Sequence, residues 1–245
     1  MISSGKVLAN LDSIRNGTPV TADIFLTNYC NNNCQYCAYG RWKELKKTPR
    51  YMRAEDFKLY LIRLKEIGVK GIILTGGGEP TVNPDFSEIT AFLEEHNFPY
   101  GINTNFNRLE LIRPVYLKIS LDGACRGEYR KIRGVDAWEK VMENIKAYGW
   151  WKRKNKIQTK VGIQCVADSV GAVVTFYKAY QGLDVDYMVF RPIESTLGKY
   201  KWKEDPRKII QFLQKLSHED PRVVMNYKWE ELHTRFTSCA ASMAQ

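Results

Sequence analysis

Histidine is scarce in this chain of 245 residues, and His96, His218 and His233 stand far from one another with no ligand spacing between them. No HxxxH pair and no second CxxC accompanies the cysteines, so a zinc site closed by two ligand pairs would lack one of them. No apolar run reaches the roughly 18 residues that a membrane-spanning helix needs. The opening MISSGKVLANLDSIRNG lacks the basic-then-apolar layout of a signal peptide. The protein is therefore expected in the cytoplasm, with no membrane partner. Clustered cysteines there point to metal or redox chemistry rather than to disulfides. Low-complexity segments are absent, and no repeat extends beyond single secondary-structure units. Acidic residues are outnumbered, 27 against 37 basic, which leaves a formal charge of +10. That is a mild preference for anionic partners and carries no information on fold.

What is present is an alternation of strand and helix signals. Strand-like runs fall at residues 22–28, 69–78, 100–105, 115–123, 156–167 and 184–193. Amphipathic helical spacing falls between them, at 53–68, 86–97, 136–149 and 170–182, and again at 205–217. Gly68 is placed to stop the first helix, and Asp205-Pro206 to start the last. The fold class is thus α/β, with about six βα units and parallel strands. Six such units suit an open, partial barrel or a doubly wound sheet. In both, ligands lie beyond the carboxyl ends of the strands. The unusual residues fall at those ends: the cysteines after strand one, Gly76-Gly77-Gly78-Glu79-Pro80 after strand two, Asn103-Thr104-Asn105, Ser120-Leu121-Asp122-Gly123, and Arg191.

Cys30, Cys34 and Cys37 lie within eight residues, in NYCNNNCQYCAYG. Three thiolates leave one position of a four-iron cluster open, and an open iron can bind a substrate or cofactor. CNNNCQYC, with Tyr36 before its last cysteine, resembles the CxxxCxφC motif of the radical S-adenosylmethionine (radical SAM) enzymes. GGGEP after the next strand and the order of the elements strengthen the likeness, which covers roughly residues 20–195.

The resemblance implies a partial (β/α)6 TIM-like barrel. It implies that Cys30, Cys34 and Cys37 hold one [4Fe–4S] cluster and that S-adenosylmethionine (SAM) chelates its open iron. Reductive cleavage of SAM would give a 5′-deoxyadenosyl radical that takes a hydrogen atom from substrate. The electron would come from a donor such as flavodoxin or ferredoxin. By the same likeness Glu79 accepts hydrogen bonds from the SAM amino group, while Gly77 and Gly78 let the backbone approach. Ser120 contacts SAM and Arg133 pairs with its carboxylate. Asn103 and Asn105 face the ribose, Tyr36 offers backbone contacts near the adenine, and Gln164 and Val166 touch the nucleoside. Asp122 faces substrate or caps the following turn.

The likeness divides the chain into an N-terminal extension (1–19), a core barrel (20–195) and a tail (196–245). SLDG and EYRKIRG are closer to the branch with peptide-modifying and molybdenum-cofactor-type members. Cys239, in RFTSCAASMAQ, resembles the entry of an auxiliary-cluster domain, either reduced or truncated here, so one cluster is expected. Cys125 and Cys165 read as buried small hydrophobes. Arg191, Glu194, Tyr187 and Trp42 are candidates for substrate contact. The substrate class implied is a peptide or small amino-acid-derived molecule. The alternative is a nucleotide or nucleic acid, supported by the basic balance and by WWKRKNKIQTK at 150–160, which otherwise reads as a solvated loop. A zinc-binding scaffold is a remote alternative that leaves Glu79 and its glycines unexplained.

Overall fold

The computed structural model describes residues 19–37, 39, 50–193, 202–226 and 228–231. Trp42, Glu194 and Cys239 lie outside the described residues. Seven parallel strands form one sheet in sequential order: β1 (Thr21–Phe25), β2 (Gly71–Thr75), β3 (Tyr100–Thr104), β4 (Tyr116–Ser120), β5 (Lys160–Ala167), β6 (Tyr187–Pro192) and β7 (Val223–Met225). A doubly wound sheet reverses its strand order partway; this one never does, and it stays open, as a partial barrel does.

Helices α1 (Ala54–Glu66) and α2 (Phe86–Glu95) follow β1 and β2, and β3 runs to β4 without a helix. Both α3 (Arg126–Arg133) and α4 (Trp138–Lys154) lie between β4 and β5, α5 (Val170–Tyr180) and α6 (Pro206–Glu219) follow β5 and β6, and a short α7 (Lys228–Glu231) follows β7. Side-chain alternation on the strands decides the two faces. Ile72 and Leu74, Ile102, Leu117 and Ile119, Ile163 and Cys165, and Met188 and Phe190 are buried in one continuous core. The helices contribute Phe57, Leu61, Ile89, Leu93, Ile145, Val173 and Leu213 to it. The intervening positions, such as Lys118, Ser120 and Arg191, are only half-buried and line the concave face.

Glycines shape that concave face. A Cβ at Gly101 would lie 2.1 Å from the Tyr116 ring, and one at Gly162 would lie 2.1 Å from the Tyr187 ring. The two phenols thus cover the floor, and their burial pushes both pKa values up. Tyr187 starts β6 while Arg191 stands in register with Val166 near its end, so the two substrate candidates sit four residues, roughly 13 Å, apart.

Three features differ from the reading of the sequence. EYRKIRG, assigned no element from the sequence, lies in a helix, α3, closed by Gly134. Trp150 to Lys154 continue α4 instead of forming a loop. The tail contributes β7, which pairs with β6 in parallel and adds a seventh strand to the six expected. Cys165 is buried as expected, but Cys125 is exposed at the N-cap of α3. Among the described residues no helix is long and apolar enough to cross a membrane.

Asn83 fixes the start of α2 to the first strand. Fully buried, it donates to the carbonyls of Leu26 (2.7 Å) and Met52 (2.9 Å) and accepts the amide of Asp85 at 2.8 Å. Asn83→Ala strands buried polar groups, so it should cost about 1–3 kcal/mol. Urea unfolding should show a lower midpoint with an unchanged slope.

Candidate active site

The carboxyl ends of β1 to β6 bring the unusual residues to one edge. Residues 26–28 bond to the returning segment 50–52: Met52 donates its amide to Leu26 O at 2.9 Å, and Thr27 Oγ1 donates to Arg50 O at 2.8 Å. This stem presents Cys30, Cys34 and Cys37, all half-buried with free thiols. Cys30 Sγ accepts the Asn32 amide at 3.4 Å. Burial pushes the Cys34 thiol up to about 11, against the pull of the nearby Arg133 charge.

The glycine loop after β2 grips the root of the cysteine loop. Glu79 donates its amide to Tyr29 O at 2.8 Å. A Cβ on Gly78 would lie 2.1 Å from that same oxygen and 2.7 Å from Thr27 O. A Cβ on Gly77 would meet the Tyr39 ring at 3.3 Å. Backbone approach here is closer than any side chain allows.

Glu79 Oε1 accepts from the hydroxyls of Thr104 (2.5 Å) and Thr81 (2.8 Å) and from the Thr81 amide (3.3 Å). Oε2 accepts the Asn105 amide at 2.7 Å. Burial raises the Glu79 pKa, and these donors draw it back down. A carboxylate has about four acceptor positions, so the capacity left is on Oε2. Asn105 also donates to Asn31 Oδ1 at 2.6 Å and leans on Cys30 Sγ at 3.9 Å. Asn103 donates to Thr75 Oγ1 at 3.2 Å, while its buried Oδ1 has no partner in the protein.

Farther along the edge, Ser120 stands in register with Gln164. The Gln164 carbonyl accepts the amides of Leu121 (3.1 Å) and Asp122 (3.0 Å), fixing the turn after β4. Asp122 has φ +62, in the left-handed region. Its Oδ1 accepts the Val166 amide at 2.9 Å; its Oδ2 accepts Arg133 Nη1 at 2.7 Å and the hydroxyl of Tyr36. The carboxylate of Asp122 is thus held by two other site residues and the Val166 amide rather than by the following turn. Arg133 gives it one of its five N–H donors.

Next to this cluster a cavity of about 380 Å³ opens, lined among others by Tyr36, Asp122, Val166 and Phe176. Asp168 and Lys203, paired at 2.8 Å, also line it. These two escaped the reading of the sequence. Asp168 follows the last residue of β5, so the strand-end rule alone could have found it; Lys203 comes from the segment before α6 and carried no local signal. Arg191, one residue before the end of β6, lies toward this edge, whereas Tyr187 lies at the floor.

The donor set fits a cluster. Among the described residues no three His, Cys, Asp or Glu side chains converge as ligands of a single ion must. A four-iron cluster makes no such demand, since each thiolate binds its own iron. The unpartnered Asn103 Oδ1 and the bare glycine backbone offer the contacts a polar cofactor needs beside it. Gly78→Ala should push Tyr29 away, so iron and sulfide retained after anaerobic reconstitution should fall at least about twofold. Far-UV circular dichroism should stay unchanged, because the clash of order 1–3 kcal/mol is local.

The family pattern described as the Radical SAM superfamily matches residues 24–152, more than half of the chain. A protein named probable GTP 3′,8-cyclase from Saccharolobus islandicus is 28% identical over 222 residues, 82% of this chain and 70% of that protein. A protein of the same name from Thermococcus kodakarensis is 32% identical over 139 residues, 54% of this chain and 44% of its own. Among solved structures, Streptococcus suis SuiB bound to precursor peptide SuiA superposes with a TM-score of 0.69 at 17% identity. That match covers 96% of this chain, which spans just over half, 56%, of SuiB. The anSMEcpe structure with bound AdoMet gives 0.64 at 20% identity, covering 90% of this chain and 69% of that one. These two likenesses establish the fold alone, a partial barrel. The sequence match carries the rest: this chain belongs to the radical SAM superfamily, enzymes that use a [4Fe–4S] cluster and SAM.

Proposed function

We propose that this chain binds one [4Fe–4S] cluster through Cys30, Cys34 and Cys37 and catalyses hydrogen-atom abstraction from a polar substrate. When bound, the cluster and SAM supply reductive cleavage of SAM and the radical that takes the hydrogen atom. The observation that carries this reading is the grip of the Gly76–Glu79 loop on the root of the cysteine loop, which holds three thiols beside a bare backbone at the strand ends. The chain's own contribution is binding, orientation and exclusion of water. The backbone at Gly77, Gly78 and Tyr36 approaches SAM, and Asn103 supplies an unused acceptor. Ser120, Asn105, Gln164 and Val166 border the same edge, and Glu79 keeps acceptor capacity on Oε2. A low-potential donor of the flavodoxin or ferredoxin kind supplies the electron.

For the substrate, the described wall of the cavity carries Glu128 and Asp168 as well as Lys131 and Lys203, beside apolar Ile132 and Phe176. Mixed charge over apolar surface suits an amino-acid-derived or peptide substrate better than a polyphosphate, which calls for clustered cations. A second reading, a nucleotide substrate, is favoured by the relatives named probable GTP 3′,8-cyclase.

The test is 5′-deoxyadenosine formation by the anaerobically reconstituted chain with dithionite and SAM. Product should form slowly without substrate and vanish in Cys34→Ala. Acceleration by a peptide pool and not by nucleoside triphosphates favours the first substrate class; the reverse favours the second. A colourless protein that binds one zinc and cleaves no SAM would overturn the proposal.

A further inference from the structure

Arg133 and Asp122 form a buried ion pair at 2.7 Å, with side chains 8% and 0% exposed. The pair is wired into the cysteine loop from two sides. Tyr36, between Cys34 and Cys37, donates its hydroxyl to the same Asp122 oxygen that Arg133 uses. The other Asp122 oxygen is taken by the Val166 amide at 2.9 Å. Asn32, with its amide oriented to satisfy both ends, accepts Arg133 Nε at 3.2 Å.

The backbone of α3 completes the clamp. The carbonyls at its C-terminal end have no partners within the helix. Asn33 donates its amide to Arg133 O at 3.0 Å, and Gln35 donates to Ile132 O at 3.1 Å. Gly134 closes the helix at φ +70, and a Cβ there would lie 2.3 Å from Asn33 O. Cys34 thus sits between two residues whose amides are pinned to the helix that carries Arg133.

We propose that Arg133 is a positioning residue for the cysteine loop rather than a ligand of the SAM carboxylate, and that the Arg133–Asp122 pair balances the charge beside the cluster. This rests on the radical SAM reading above. Breaking a buried pair leaves an uncompensated charge, and its field acts at short range through a poorly screening medium. Cluster reduction adds one negative charge, so an unpaired cation beside it favours reduction and an unpaired carboxylate opposes it. The two halves of the pair should therefore shift the cluster in opposite directions from one location.

The experiment is an electron paramagnetic resonance redox titration of the reconstituted full chain without SAM, with SAM affinity measured separately. Asp122→Asn keeps the shape of the side chain and an acceptor for Val166. It should raise the reduction equilibrium at least tenfold, about 59 mV for one electron. Arg133→Gln should lower it by a similar factor, and the double variant should return near the parent value. Arg133→Lys keeps the charge, so its potential should stay near the parent, while the lost two-pronged grip should loosen the loop and speed iron loss to a chelator. Should Asp122→Asn fail to fold, the contrast between Arg133→Lys and Arg133→Gln decides alone. Potentials unmoved by every variant would overturn the proposal, as would a selective loss of SAM affinity in both Arg133 variants with Asp122→Asn unaffected. Failure of the parent chain to assemble any [4Fe–4S] signal would instead remove the underlying family chemistry.

Discussion

Glu79 ties together three segments at the carboxyl edge of the sheet, beyond the last paired residues of β1, β2 and β3. Its carboxylate takes the hydroxyls of Thr81 and Thr104 and the amides of Thr81 and Asn105. Its own amide holds Tyr29 O, one residue before Cys30. The end of β3, the loop after β2 and the root of the cysteine loop are therefore fixed to one buried group. Burying a carboxylate is costly unless its oxygens are satisfied, and here the satisfying donors are the very strand ends that must be aligned. Asn105, pinned by Glu79 through its amide, is thereby placed to reach Asn31 and Cys30 with its side chain.

The sheet then separates stability from chemistry. Outward positions of the strands are apolar and buried under helices, while inward positions include the polar, half-buried Lys118, Ser120 and Arg191. A parallel strand covered on both faces reads as a continuous apolar run. Here only one face is covered, so β4 reads YLKIS, with Leu117 and Ile119 in the core and Tyr116, Lys118 and Ser120 on the concave face. Substitutions on the concave face can alter a ligand site without touching the core, provided Gly101 and Gly162 still admit the two tyrosines that floor it.

Much of this was legible in the sequence, because strand periodicity, glycine turns and the CNNNCQYC motif are local signals. The strand-end rule gathered the candidate residues on one edge of the sheet. What escaped was long-range pairing. Asp122 read as a turn residue or a substrate contact, since nothing local says that Tyr36, 86 positions away, will meet it. Arg133 read as a partner for SAM on resemblance, and nothing local says that its guanidinium will also pair with Asp122, 11 positions earlier. α3 escaped for a related reason. With eight residues and only Tyr129 and Arg133 buried, it has little apolar stripe to detect. It is held by what caps it, and the caps are amides of the cysteine loop, about a hundred residues earlier.

The basic run at 150–160 is decided by position more than by pairing. Lys152 bonds Asp186 at 2.6 Å, Arg153 pairs with Asp184, and Lys154 lies 4.8 Å over the Trp150 ring. Arg153 and Asp184 are exposed, and such surface pairs contribute only about 0–1 kcal/mol, so a phosphate could displace them. But Lys152 to Lys154 close α4, and Asp184 and Asp186 precede β6, which puts the run at the amino ends of the strands. The cysteines, Glu79, Asp122 and the cavity lie at the carboxyl ends. The strands between span five to eight residues, roughly 16–26 Å. A nucleotide anchored on the basic run would leave its reacting atom on the wrong edge of the sheet. Any phosphate that matters to the chemistry has to be bound by cations of the carboxyl edge, where Lys131 and Lys203 share the cavity wall with Glu128 and Asp168.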